Sequence, residues 1–208
     1  FSWMKKDQLL ITGATRRSYK GAKVEKVYNS IFLVGENAKL YTYYDKQHLV
    51  PFGEFIPLRK FLNMNNLVGN TLDFSSGKGK NIFILPESFL SVALLVCYEI
   101  IFPAQIIKGE RPDLIINLTN DAWYGNTDGP EQHLMSARTR AVEEGIPILR
   151  AANTGISAVI DANGRYIDLL AFSKQGIINA YVPNKIKPTF FSKNPGKTWG
   201  KNTEQQCV

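Results

Sequence analysis

One thiol in this chain stands where a thiol can work. Cys97 follows an apolar run, Phe89 to Val96, broken only by Ser91, and precedes Tyr98-Glu99-Ile100-Ile101-Phe102-Pro103. The run is short and apolar enough for a buried strand, and Pro103 suits the first turn of a helix, where a residue needs no N–H partner. Cys97 then occupies a strand-to-helix turn, where outward-pointing N–H groups favour a thiolate. The competing reading is a small buried hydrophobe, which a lone Cys in an apolar run commonly is. Glu99 needs a partner if it is to lie in that core. A second cluster is Lys46 and Glu54 within Tyr44-Asp45-Lys46-Gln47-His48-Leu49-Val50-Pro51-Phe52-Gly53-Glu54. Lys46 ends a strand and Glu54 follows a Pro-Phe-Gly loop, so both can point into one cleft. There a lysine charge stabilises an oxyanion and a carboxylate fixes the lysine. A plain surface ion pair is the alternative. His48 and His133 have no metal-ligand spacing and read as structural. Asn117-Leu118-Thr119 matches a glycosylation sequon but falls in a buried strand.

The elements that must position these residues are legible as apolar runs between turn residues. Leu9 to Gly13 reads as a short buried strand, with the end of a helix before it. Arg16 to Lys26 is basic and polar, either a loop or an edge strand. Val27 to Val34 and Lys39 to Tyr44 flank Gly35-Glu36-Asn37 as a hairpin, and Ile82 to Leu85 and Phe89 to Val96 flank Pro86-Glu87-Ser88 as another. Phe74 to Lys80 is a loop. Leu114 to Leu118 is a third apolar strand, reached through the helix that opens near Pro103. Asp128 and Glu131 have capping-box spacing, opening a helix with Leu134, Ala137, Ala141 and Val142 on one face. Gly145 and Pro147 close that helix. Ile148 to Ala152, Ser157 to Ile160 and Tyr166 to Leu170 complete the strands, with a turn at Asn163-Gly164. The mixture predicts an α/β fold with two sheets or one large mixed sheet. In Phe55 to Val68, Leu58, Phe61 and Leu62 recur at helical spacing beside Arg59 and Lys60. A core-packed helix and a lid on lipid headgroups explain that equally well.

With 208 residues, 44% hydrophobic and 21% charged, the chain can bury one sizeable core. Its net charge of +7 is spread along the sequence, which suits an anionic surface such as phospholipid headgroups but forms no nucleic-acid stripe. Two cysteines make neither a disulfide framework nor a zinc site. No run approaches the ~18 apolar residues of a membrane span, and the N-terminus lacks a signal peptide's apolar core. A start at Phe1 suggests a piece of something longer.

Taken together, Lys46 in its motif, Cys97 in Val96-Cys97-Tyr98-Glu99 and Asn120-Asp121-Ala122-Trp123-Tyr124-Gly125 resemble the nitrilase, or carbon–nitrogen hydrolase, superfamily. With Gly129-Pro130-Glu131-Gln132-His133 and Arg150-Ala151-Ala152-Asn153-Thr154-Gly155, five motifs stand in the order of its apolipoprotein N-acyltransferase branch, over residues 9 to 183. The resemblance implies a four-layer αββα sandwich, here lacking its first strand and helix. It makes Cys97 the nucleophile and Lys46 the oxyanion-stabilising lysine, with Glu54 and Glu99 in support. The Tyr98 backbone N–H at the elbow would join Lys46 as the oxyanion hole. The family's general-base Glu precedes the Leu9 strand and is absent from this chain. Glu87 mimics its Pro-Glu context but lies in a hairpin turn and reads as a decoy.

The expected organisation is a truncated catalytic domain over 1–188 and a disordered polar tail over 189–208, inactive in isolation. The implied reaction moves an acyl chain from a phospholipid, through a Cys97 thioester, to the N-terminal amine of an apolipoprotein. It needs no metal or organic cofactor and no nucleic acid. It would take place at the bacterial inner membrane, with the catalytic domain on the periplasmic side. A soluble amidase acting on a small amide, or a non-catalytic remnant, are the alternatives.

Overall fold

The computed structural model describes residues 4–57, 73–86 and 88–195. Within the span expected to be one domain, the chain packs as two compact units, Phe1–Lys80 and Asn81–Val208.

The N-terminal unit is a meander of β1 (Leu10–Lys20), β2 (Lys23–Val34) and β3 (Leu40–Asp45), in the order β1-β2-β3. Pairing is antiparallel, from Leu10 opposite Val34 to Lys20 opposite Lys23 in the first pair and from Ser30 opposite Asp45 in the second. The basic stretch Arg16 to Lys26 is therefore mostly strand, the outer part of a long hairpin. A two-stranded ribbon open to water needs no apolar period, which is why the pattern alone was ambiguous. Alternation along β2 and β3 buries Ile31, Leu33 and Tyr44 on one face. On the other, Asp45 accepts from Ser30 Oγ at 2.6 Å and pairs with Arg16 at 2.7 and 2.9 Å. Arg16 also stacks on Tyr28 and Tyr43. No helix precedes β1 among the described residues.

The C-terminal unit is a six-stranded sheet of β4 (Ile82–Ile84), β5 (Ser91–Val96), β6 (Leu114–Asn120), β7 (Ile148–Asn153), β8 (Ser157–Ile160) and β9 (Tyr166–Leu170), in that order. β5, β6 and β7 run parallel and the outer pairs antiparallel. Val92 to Val96 are all buried, as expected for a central parallel strand covered on both faces. Helix α1 (Gly129–Glu144) connects β6 to β7 and lays Leu134, Ala137 and Ala141 on Ala93, Leu95, Ile115, Ile148, Ala158 and Ile160. Its C-terminus is closed by Gly145 in the left-handed region, φ 64°, where a side chain is disfavoured. Arg111 donates to the last carbonyls, Glu144 O and Gly145 O, both at 2.8 Å.

Several sequence expectations need correction. No α-helix starts at Pro103; Cys97–Ile101 is a 3-10 turn, and irregular chain continues to β6. The apolar Ile100, Ile101, Ile106 and Ile107 mimic a helical stripe, but Ile100 and Ile106 reach the core from a turn and a loop. Asp128 makes no side-chain cap on α1; Thr127 Oγ1 accepts from Gly129 N at 3.2 Å instead. Val142 is 48% exposed, off the buried stripe. The expected tail begins with a one-turn helix α2 (Phe190–Lys193), docked where Thr189 Oγ1 donates to Glu143 O. The rest of that tail from 196, residues 58–68 of the Phe55 to Val68 segment, and Glu87 lie outside the described residues.

Candidate active site

Parallel register brings the C-terminal ends of β5, β6 and β7 side by side, with Val96 opposite Leu118 and Asn120 opposite Asn153. That edge is where open α/β sheets present their chemistry. Cys97 is the first residue beyond β5 and has φ +49°. A left-handed backbone at a non-glycine residue costs about 1–3 kcal/mol and persists only when its surroundings over-determine it.

Here the surroundings are explicit. On the N-terminal side, Glu99 turns back so that its Oε2 accepts from Val96 N at 2.8 Å. Glu99 is 3% exposed, and this bond is a partner of the kind its burial demanded. On the other side, the Cys97 carbonyl accepts from His133 Nε2 at 3.2 Å and Asn117 Nδ2 at 3.4 Å. Cys97 and Tyr98 are both half-buried.

His133 belongs to a buried polar cluster that alternation assembles beneath α1. The same period that turns Ile115 and Ile148 toward the helix turns Asn117, Thr119 and Arg150 toward it as well. Arg150 donates to Asp121 Oδ2 at 2.6 Å, to Ile156 O at 3.2 Å and to Asn117 Oδ1. Asp121 Oδ1 accepts from Thr119 Oγ1 at 2.8 Å and lies 2.9 Å from His133 Nδ1. The Tyr124 ring packs edge-on against His133. Burial works against the charge of Asp121, but the bond with His133, the Arg150 charge and the Thr119 hydroxyl outweigh it and hold the carboxyl below its usual range. Burial pulls Arg150 below its ordinary value, opposed by Asp121. Tyr124 is pushed up, first by burial and further by the nearby Asp121 carboxylate. Gly155 completes the cluster: a Cβ there would lie 2.7 Å from Asp121 Cβ, so a side chain and Asp121 cannot share the space.

In the N-terminal unit, Lys46 follows β3 and continues the face of Tyr44, which leaves its side chain 1% exposed. Its Nζ lies 2.6 Å from Glu54 Oε2. Glu54 is itself fixed, accepting from Val50 N at 2.8 Å and Asn29 Nδ2 at 3.1 Å. The surface-pair alternative is therefore set aside: this is a buried lysine on a rigidly held carboxylate.

The structure thus brings Lys46 to Glu54 in one unit, and Cys97, Tyr98 and Glu99 onto one turn in the other. Sequence reasoning placed Asp121, His133 and Arg150 in motifs and Asn117 in a strand, but did not pair them with one another beneath that turn. A usable signal existed. Arg150 and Asn117 fall on core-facing positions of apolar strands, and a buried Arg demands an acid, which Asp121 supplies.

The carbon-nitrogen hydrolase family matches residues 3–189. The apolipoprotein N-acyltransferase of Rhizobium rhizogenes is 43% identical over 198 residues, covering 89% of this chain and 37% of that protein. That of Brucella melitensis is 39% identical over 201 residues, covering 93% and 37%. The chain thus spans little more than a third of the length of these curated relatives. Among solved structures, a carbon-nitrogen hydrolase from Helicobacter pylori superposes with TM-score 0.59 at 18% identity, covering 80% of this chain and 59% of its own. An amidase from Nesterenkonia sp. does so with TM-score 0.57 at 20% identity, covering 89% and 63%. At such identities the likeness is one of fold.

Proposed function

We propose, from the premise that this chain belongs to the carbon–nitrogen hydrolase family, that it carries the acyl-transfer chemistry of an apolipoprotein N-acyltransferase. The observation that carries the chemistry is the left-handed Cys97 at the end of β5, its turn pinned on one side by Glu99 and on the other by His133 and Asn117. Kinship with relatives of that name carries the substrate class.

In this reading the Cys97 sulfur attacks the ester carbonyl of a phospholipid. The carbon–oxygen ester bond breaks, a lysophospholipid leaves with the proton, and a thioester forms. The free N-terminal amine of a lipidated apolipoprotein then attacks the thioester, an amide forms, and the thiol is regenerated. Lys46, held by Glu54, supplies positive charge to the oxyanion, and the Tyr98 N–H is the second donor; both roles follow the motif resemblance. The second N–H of a helical turn has no partner within the turn and is available to donate. The setting is a bacterial membrane, with the catalytic domain on its periplasmic side. Among the described residues no helix is long and apolar enough to cross a membrane.

The test uses the full-length gene product in vesicles of phospholipid with an isotopically labelled acyl chain, plus a lipidated peptide with a free N-terminal cysteine amine. Label should pass to the peptide amine. Ammonia release from a short amide, without transfer to the peptide, would instead establish the amidase reading.

A further inference from the structure

We infer that His133 is a positioning residue for the oxyanion hole, holding the Cys97–Tyr98 peptide group in the orientation that aims its N–H at the acyl oxygen. The inference rests on the acyl-transfer reading above and extends it to a residue on α1.

A trans peptide is planar, and its C=O and N–H point in opposite directions. The carbonyl of Cys97 and the amide N–H of Tyr98 belong to one such plane. Anything that fixes the carbonyl therefore fixes the direction of the N–H. The carbonyl is gripped from beneath by His133 Nε2 at 3.2 Å and Asn117 Nδ2 at 3.4 Å. The Tyr98 N–H is consequently turned away from this buried cluster.

His133 is the shorter of the two contacts and the better supported. A carbonyl can only accept, so Nε2 must carry the hydrogen. At the far side of the ring, Nδ1 lies 2.9 Å from Asp121 Oδ1 and 3.2 Å from Arg150 Nη2. Asp121 is tied to Arg150 and Thr119, and Arg150 to Asn117, so both grips on the carbonyl are parts of one network. The Tyr124 ring adds an edge contact at 5.8 Å between centroids. The ring cannot rotate without breaking bonds at both nitrogens. Left-handed Cys97 is the strain this grip sustains.

Substitutions at His133 separate the donor from its bulk. His133→Gln keeps an N–H donor near the Nε2 position and loses the ring. His133→Phe keeps the ring's volume and loses the donor. His133→Asn places its amide near Nδ1, so it retains the Asp121 side and loses the carbonyl, serving if the Phe variant does not fold. The first readout needs no activity. In this chain the dipeptide Cys-Tyr occurs once, at Cys97-Tyr98. Labelling Cys carbonyl carbons with 13C and Tyr amides with 15N therefore gives a single carbonyl–amide correlation. Loss of the hydrogen bond should move the Cys97 carbonyl resonance upfield in the Phe and Asn variants, and Gln should return it toward wild type.

The second readout compares two reactions at Cys97 in the full-length gene product. Acylation by an activated ester passes through an oxyanion, whereas alkylation by iodoacetamide does not. The Phe and Asn variants should acylate about tenfold more slowly or worse, on the scale of one misplaced donor. Alkylation should stay within about twofold, and Gln should restore most of the acylation rate.

An unchanged carbonyl resonance in the Phe and Asn variants would overturn the inference. So would equal losses in acylation and alkylation, which would mean the elbow had merely collapsed, or a Phe variant that outperforms Gln. A wild-type protein that shows the bonded carbonyl yet never takes an acyl group would sink the acyl-transfer reading, and with it the catalytic use of this bond.

Discussion

Asp121→Asn isolates the electrostatics beneath the cysteine turn. Arg150 Nη2 and Asp121 Oδ2 are 2.6 Å apart, and both side chains are 0% exposed. A pair so buried contributes little net stability against an apolar replacement, but removing one partner strands the other's charge, at about 3–5 kcal/mol. Asparagine keeps an oxygen that can still accept from Thr119 Oγ1, so the lower end applies, about 3 kcal/mol. For a chain of this size each kcal/mol moves the melting temperature by about 2–4 °C, giving a drop of about 6–12 °C. Circular dichroism melts of wild type, Asp121→Asn, Arg150→Met and the double variant at neutral pH measure this. The double variant should cost clearly less than the sum of the singles, because the second change removes a charge already stranded. The acid limb is a further check. The folded pKa of Asp121 lies below its ordinary value of 3.8, so its stabilisation is complete above that pH and is lost as pH falls through the folded value. The gap between wild type and Asp121→Asn should therefore narrow only in acid below that point. A melt within about 2 °C of wild type, or full additivity of the two singles, would refute the argument.

Other expectations follow from neighbouring geometry. Lys46→Met should keep the fold and slow acylation of the full-length protein by about 10²–10³-fold, the scale of one lost oxyanion donor; a drop of less than about tenfold, measured by single-turnover kinetics, would make Lys46 a structural cation only. Gly155→Ala should destabilise by about 1–3 kcal/mol in urea titrations, since its Cβ would meet Asp121 Cβ at 2.7 Å. An unchanged midpoint would show that Asp121 can give way. Asp113 is held down to about 2, chiefly by its bond with Lys185 and then by Ser91. Its folded pKa lies below the unfolded value of 3.8, so its contribution is present above that and disappears as pH falls toward about 2. The stability difference between wild type and Asp113→Asn should follow that course in denaturant titrations, and a difference independent of pH would contradict it.

The parts of the fold that bury apolar surface were legible in sequence. β5 and the start of β6 announce themselves as apolar runs rich in Val, Leu and Ile, because central parallel strands are covered on both faces. The Gly35 to Asn37 turn and the Gly145 stop were equally clear, since each calls for a backbone that few residues adopt. What could not be read was structure held by polar pairing. The outer hairpin through Arg16 and Lys26 carries no apolar period. The segment after Cys97 has a helix-like apolar spacing but forms a short turn, with Ile100 and Ile106 inserted separately into the core. In the candidate site, residue type and order single out Cys97, Lys46 and Glu54, and the structure pairs Lys46 with Glu54. His133 reads as a structural histidine, and what the sequence does not show is its partners: Asp121 and Arg150 are 12 and 17 residues away and meet it only through the register of β6 and β7.

The account turns on Cys97 as an acyl carrier, and mass spectrometry of the full-length protein incubated with phospholipid tests that most directly. Wild type should gain the mass of one acyl chain, mapped by proteolysis to the peptide containing Cys97, and Cys97→Ser should gain none at a comparable rate. An adduct that forms on the Ser variant as fast as on wild type, or that maps away from Cys97, would contradict it.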